Sequence, residues 1–159
     1  MAQRIQRYTI QLVKEQGYTY DFLENAKSFT KPSRILDFCK DKLNMENLTN
    51  EHFVIITMDT KLKPIGVHTL HIGLIDQAII DPKVIMQHVL LTNAKSIFMV
   101  HNHPSGDPEP SQADINVTRR IAKLLNLFDV TVQDHLIIGR DCATSIRQDY
   151  EFVFENLND

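Results

Sequence analysis

Residues 96–100, Ser-Ile-Phe-Met-Val, make an unbroken apolar run of strand length, the mark of a strand of the fully buried kind. Such a strand needs a sheet beside it and helices over it, and the chain supplies both. Phe53-Val-Ile-Ile-Thr-Met58 reads as another buried strand, and a turn over 59–64 returns the chain as a strand over Ile65–Ile72, a hairpin. Asp81-Pro82 opens a helix, with Asp as N-cap and Pro in the first turn. Val84, Ile85, Val89 and Leu91 carry that helix to about Asn93. Val117, Ile121, Leu124, Leu125 and Phe128 recur at helical spacing and mark another. Val130 to Ile138 alternates as a strand closed by Gly139, and Ala143–Ile146 adds a further strand. Earlier, Tyr8, Ile10 and Leu12 alternate over 7–14. Ile35, Leu36, Cys39 and Leu43 follow Pro32 at helical spacing, which predicts a helix over 33–43, and Asn44–Asn50 reads as a loop. Strands alternating with helices predict an α/β (α+β) fold, a mixed sheet with helices packed on it.

At 159 residues the chain holds one domain's worth of core. Apolar residues at 43% and charged residues at 23% exclude disordered, collagen-like and coiled-coil readings. Lys and Arg number 17 against 20 Asp and Glu, so no global positive field draws in nucleic acid, although a local contact with DNA stays open. No apolar run reaches the roughly 18–20 residues of a membrane span, and the N-terminus lacks a signal-peptide core. Cys39 and Cys142 form no motif and read as reduced thiols, so the expected location is cytoplasmic.

The segment joining the buried strand to the amphipathic helix carries the chemistry: His101-Asn-His-Pro-Ser-Gly-Asp-Pro-Glu-Pro-Ser-Gln-Ala-Asp114. His101 and His103, two apart at a strand end, leave the same face. Ser111 and Asp114, three apart at a helix start, also share a face. Pro104, Gly106, Pro108 and Pro110 stiffen the turn between them. Two imidazoles and a carboxylate converging on a point make a three-ligand zinc site with a fourth position open to water, as in a catalytic centre. Fe²⁺ or Ni²⁺ would suit the same donors. The same residues also admit a plainer reading. Ser111-x-x-Asp114 ahead of an apolar helix is a capping-box pattern, and a lone HxH pair is commonly just two histidines. Cap and ligand are compatible, because a helix N-terminus favours a carboxylate.

The spacing H-x-H-x7-S-x2-D is the JAMM motif of the JAB/MPN+ metallo-isopeptidases. The string His101-Asn-His-Pro-Ser-Gly106 with Pro110-Ser-x-x-Asp114 resembles the RadC branch of that superfamily. Glu51-His-Phe, Gly73, Pro82-Lys83 and Asp134-His-Leu-Ile-Ile-Gly139 are similar too, so the likeness covers about 45–150. It divides the chain into an N-terminal strand-and-helix extension, 1–45, and a RadC-like JAB/MPN domain, 46–159. It implies a cytidine-deaminase-like α-β-α sandwich, one zinc ion per chain on His101, His103 and Asp114, and Ser111 as a stabiliser of the oxyanion. It also implies a general acid/base glutamate at the mouth of the first hairpin strand, where Glu51 stands; taken alone, Glu51 would read as a solvated strand-edge charge. Full-length members carry an N-terminal helical domain that these 45 residues do not resemble, so DNA binding argued from that domain is not implied. Lys83 stands where the family often has arginine.

These residues lead to a zinc-dependent hydrolase of amide or isopeptide bonds, with an unidentified peptide or protein as substrate. A DNA repair or recombination factor or metal-dependent nuclease of the RadC type is one rival, for which Arg119, Arg120 and Lys123 would be the basic stripe. A metal-binding module without turnover is another. The tripeptide His101-Asn-His103 is not the HNH nuclease motif, whose parts are dispersed. Neither the H-x-E nor the P-C-x-x-C of a deaminase is present. His68 and His71, three apart on one strand, are expected on opposite faces as satisfied or solvated histidines. His135 reads equally as a support behind the site or an edge residue. Met58, Met86 and Met99 read as core filler.

Overall fold

The computed structural model describes residues 31–73 and 80–157, together with Val13, Glu15 and Gly17. The alternation at Tyr8, Ile10 and Leu12 lies outside the described residues. Helix α1 is Pro32–Leu43, followed by a 3₁₀ turn, Met45–Asn47. Strands β1 (His52–Met58) and β2 (Pro64–Ile72) form the hairpin, helix α2 is Pro82–Thr92 and strand β3 is Ser96–Asn102. Helix α3 (Gln112–Asn126), strands β4 (Thr131–Ile138) and β5 (Ala143–Ser145), the short helix α4 (Ile146–Asp149) and a 3₁₀ turn, Glu151–Phe154, complete the order. The sheet runs β2-β1-β3-β4-β5, with β3 and β4 parallel and every other pair antiparallel. This is the mixed-sheet α+β fold that the residue pattern predicts, with helices on both faces as the family resemblance implies.

Strand alternation divides the core into two layers. Val54, Ile56, Met58, Phe98 and Val100 point to the side covered by Ile35, Phe38 and Cys39 of α1. Phe53, Ile55, Ile97 and Met99 point to the other side, against Ile85 and Val89 of α2 and Val117, Ile121 and Leu125 of α3. Continuing the odd-numbered side of β3 by one more residue brings His101 beneath the start of α3. Asp81 caps α2 by accepting from the Lys83 N–H at 2.8 Å, as its position before Pro82 predicts. Met58 and Met99 are fully buried, Met86 packs at the core's edge, and both cysteines are free.

Three expectations need correction. Helix α3 ends at Asn126, so Phe128 does not extend its buried stripe: Leu127 is 77% and Phe128 52% exposed, and Asp129 turns the chain with φ +55°. Leu91 of α2 faces solvent. His68 and His71 do not take opposite faces by simple alternation, because the register shifts between Phe53 and Val54 and pairs them with Ile55 and Phe53, two apart on β1. The loop over 44–50 holds the 3₁₀ turn, whose Met45 is buried.

Candidate metal centre

His101 is the next-to-last residue of β3, opposite Phe53 of β1, whose ring stacks on the imidazole at 6.2 Å. The chain then leaves the sheet but stays tied to it. The His103 N–H donates to the Ile138 carbonyl at 2.8 Å, the Gly106 N–H to the His103 carbonyl at 2.9 Å, and the Arg140 N–H to the Gly106 carbonyl at 2.9 Å. Gly106 has φ +88°, a conformation glycine adopts without penalty. Gly139 is required by space, since a Cβ there would stand 2.5 Å from the Gly106 oxygen and 2.9 Å from Pro108 Cδ. The proline loop is thus pressed onto the end of β4 and delivers the chain to α3. There the capping box is present in full: Ser111 Oγ accepts from the Asp114 N–H at 3.2 Å, and Asp114 Oδ2 accepts from the Ser111 N–H at 2.7 Å. The cap aims Asp114 back at the histidines, so the capping reading of Ser111-x-x-Asp114 holds and is compatible with a ligand role for the carboxylate.

The three side chains converge. His101 Nε2 and His103 Nε2 are 2.9 Å apart, Asp114 Oδ1 is 3.3 Å from the first and Oδ2 3.7 Å from the second. All three offer donor atoms within 4.8 Å of one another, a group that could hold a metal ion. His103 Nδ1 lies 2.8 Å from the Asp107 carbonyl, which only accepts, so that nitrogen carries the ring proton and Nε2 presents a lone pair. Burial, with His135 beside it, lowers the His101 pKa well below its ordinary value and keeps the ring neutral. The nearby Asp114 carboxylate raises that of His103 against its partial burial. Burial pushes the Asp114 carboxyl upward, but His103, His101 and Ser111 together hold it well below the usual carboxylate range. Electron-rich atoms packed this closely in a largely buried site require a proton or a cation among them. Two imidazoles and a carboxylate fit a zinc-type ion.

Glu51 precedes β1 and lines a cleft of about 310 Å³ with Thr49, Asn50, Gly73, Pro104 and Ser105. Its charge contributes to the raised pKa of His103, so the two face one field. Its carbonyl accepts from the Gly73 N–H at 2.8 Å. Asn102 fixes it from the other side: Oδ1 accepts from the His52 N–H at 2.8 Å and Nδ2 donates to the Asn50 carbonyl at 3.1 Å, so the buried amide straddles Glu51. The middle residue of the His-Asn-His tripeptide therefore has work of its own, which spacing alone did not reveal. His135, open between two readings, is fully buried behind the cluster. Its Nε2 is 2.9 Å from His101 Nδ1, and its Nδ1 is 2.6 Å from Thr118 Oγ1. The Thr118 hydroxyl donates to the Asp114 carbonyl at 2.5 Å. Thr118 also escaped sequence reasoning; the available signal was its place one turn after Asp114. His68 is satisfied elsewhere, 3.2 Å from Thr57 Oγ1 and 4.4 Å from the His88 ring. Arg119, the first residue of the supposed basic stripe, donates to the Phe152 carbonyl at 2.8 Å and fastens the C-terminal segment.

Residues 29–151 match the model of the RadC-like JAB domain. The chain belongs to this family. It is similar to the UPF0758 protein of Psychromonas ingrahamii, 40% identical over 131 residues, which is 82% of this chain and 57% of the relative. The corresponding protein of Caldanaerobacter subterraneus is 34% identical over 128 residues, 80% of this chain and 54% of its own. The UPF0758 protein YsxA of Bacillus subtilis is 40% identical over 105 residues, 66% of this chain and 46% of the relative. The chain thus spans about half the length of these curated relatives, whose names state no activity. Among the described residues no helix is long and apolar enough to cross a membrane.

Proposed function

We propose that this RadC-like JAB domain is a zinc-dependent hydrolase of amide or isopeptide bonds, acting on a peptide or protein. The observation that carries the reading is the convergence of His101 Nε2, His103 Nε2 and the Asp114 carboxylate in one buried corner. His101, His103 and Asp114 would hold the ion through three protein ligands, the number that leaves a position free for reactants. When bound, zinc supplies Lewis acidity that activates water and polarises a carbonyl near neutral pH. The other residues have separable tasks. Glu51, braced by Asn102 and Gly73 beside the cleft, takes the proton of the attacking water and returns it to the departing amine. Ser111 stands at the start of α3 with its hydroxyl proton on Asp114 Oδ2 at 2.6 Å, and it would turn from that carboxylate to donate to a developing oxyanion. The cleft beside Glu51, lined also by Pro104 and Ser105, is where this reading seats the substrate chain.

The test is cleavage of a diverse peptide and isopeptide library by zinc-loaded protein, with chelator-treated protein and Glu51→Gln as controls. Metal-dependent cleavage that falls by about 10²–10⁴-fold in Glu51→Gln agrees with the assignment. Cleavage that survives that substitution, or that proceeds in chelator, contradicts it.

A further inference from the structure

We infer that Thr118 and His135 form a tautomer-setting relay behind His101, and that this relay tunes the site's affinity for its metal. The inference rests on His101 being a ligand, as proposed above, and it assigns positioning roles to two residues with no place in the motif itself.

The argument follows single protons. The Asp114 backbone carbonyl can only accept, and Thr118 Oγ1 lies 2.5 Å from it, so the one hydroxyl proton of Thr118 is committed there. Thr118 can then only accept from its second neighbour, His135 Nδ1 at 2.6 Å, so that nitrogen bears the ring proton of His135. A neutral imidazole has one N–H, which leaves His135 Nε2 as an acceptor. Its partner at 2.9 Å, His101 Nδ1, must be the donor. The single N–H of His101 is thereby used on the side away from the cluster, and Nε2 is left bare, facing His103 and Asp114. The chain of bonds starts on the main chain of Asp114 and ends opposite the same residue's carboxylate. It also excludes the wrong state: were His135 to carry its proton on Nε2, His101 would have to accept at Nδ1 and place its own proton on Nε2, where a ligand needs a lone pair. Both relay side chains and His101 are fully buried, so no water competes for these bonds. Hydrogen bonds behind a metal-bound histidine are a general means of fixing ring orientation and basicity, and losing one commonly lowers affinity 10–100-fold.

The experiment uses the full chain with Zn²⁺ as the probe. Long-range ¹H–¹⁵N spectra of metal-free protein are expected to show Nδ1–H on both His101 and His135. In Thr118→Val, similar in shape but without a hydroxyl, the Nε2–H form of His135 is expected to appear. Zinc affinity, measured by competition with a chromophoric chelator, is expected to fall about 10–100-fold. Thr118→Ser, which keeps the hydroxyl, is expected to restore both readouts. As a second route, His135→Gln, which can still accept from His101, is expected to retain affinity that His135→Leu loses. Nε2–H without Nδ1–H on His101 in the metal-free wild type, or unchanged affinity in folded Thr118→Val and His135→Leu, overturns the relay. Failure of the wild type to bind zinc would instead count against the metal reading, and the spectra of the metal-free protein would still decide the relay.

Discussion

Asn102→Ala offers a sharp test of how the Glu51 segment is held. The amide is 2% exposed and makes two bonds across Glu51, to the His52 N–H at 2.8 Å and the Asn50 carbonyl at 3.1 Å. Removing it forfeits about 1 kcal/mol for each bond and leaves a backbone donor and acceptor partly shielded from water, so the total loss is about 2–4 kcal/mol. For a domain of this size that corresponds to roughly 5–15 °C in Tm. Asn102→Asp keeps the acceptor for His52 but sets a carboxylate against the Asn50 carbonyl, so it is not expected to rescue the loss. The assay is denaturant unfolding of metal-free protein with amide exchange at His52 and Gly73. Protection of the His52 amide is expected to drop more than that of residues central to β1. A stability within about 0.5 kcal/mol of wild type, the range of ordinary surface changes, would refute the clamp.

Further consequences can be checked on the metal-free and metal-loaded protein. Gly139→Ala forces a Cβ onto the Gly106 carbonyl, so it is expected to destabilise by about 1–3 kcal/mol and to weaken zinc binding by displacing the His103 loop, read by unfolding and zinc titration. Ser111→Ala removes the N-cap acceptor of α3 and is expected to cost about 1 kcal/mol in the same unfolding assay. Burial lowers the pKa of His135 to about 4 and, with His88 adding to it, that of half-buried His68 to about 4, so both stay neutral in the fold at pH values where the unfolded chain is protonated. Their contribution is whole above about pH 6.5 and is lost as pH falls toward 4, at up to ~1.4 kcal/mol per pH unit for His135 and less for the more exposed His68. His103, with its raised pKa, works in the opposite direction but is outnumbered. Denaturant midpoints of chelator-treated protein are therefore expected to fall between pH 7.5 and 5, and a flat profile would count against this arrangement.

Much of the fold was legible because burial follows period. The apolar runs 96–100 and 53–58 mark buried strands, the spacing of Ile85 and Val89 marks a core face, and Asp81 before Pro82 marks a helix start. Helix ends were less legible. No glycine or proline stands within several residues of Asn126, and Asp129 takes the left-handed conformation that turns the chain after the helix, so Phe128 fitted a helical stripe it does not join. Register was hidden for a similar reason, since one irregularity between β1 and β2 cancels the alternation on which the reading of His68 and His71 relied. Within the site, the local spacing of His101, His103, Ser111 and Asp114 fixes their convergence. The contacts of Asn102 with residues 50 and 52, and of His135 with His101, join segments some 50 and 34 positions apart and exist only once the sheet has formed.

The most direct measurement is the metal content of protein purified without chelator or polyhistidine tag, beside an Asp114→Ala/His103→Ala variant. The account predicts about one zinc ion per wild-type chain and none in the variant, with the fold retained in both. A wild-type chain that is folded, carries no metal and refuses added Zn²⁺ would contradict it.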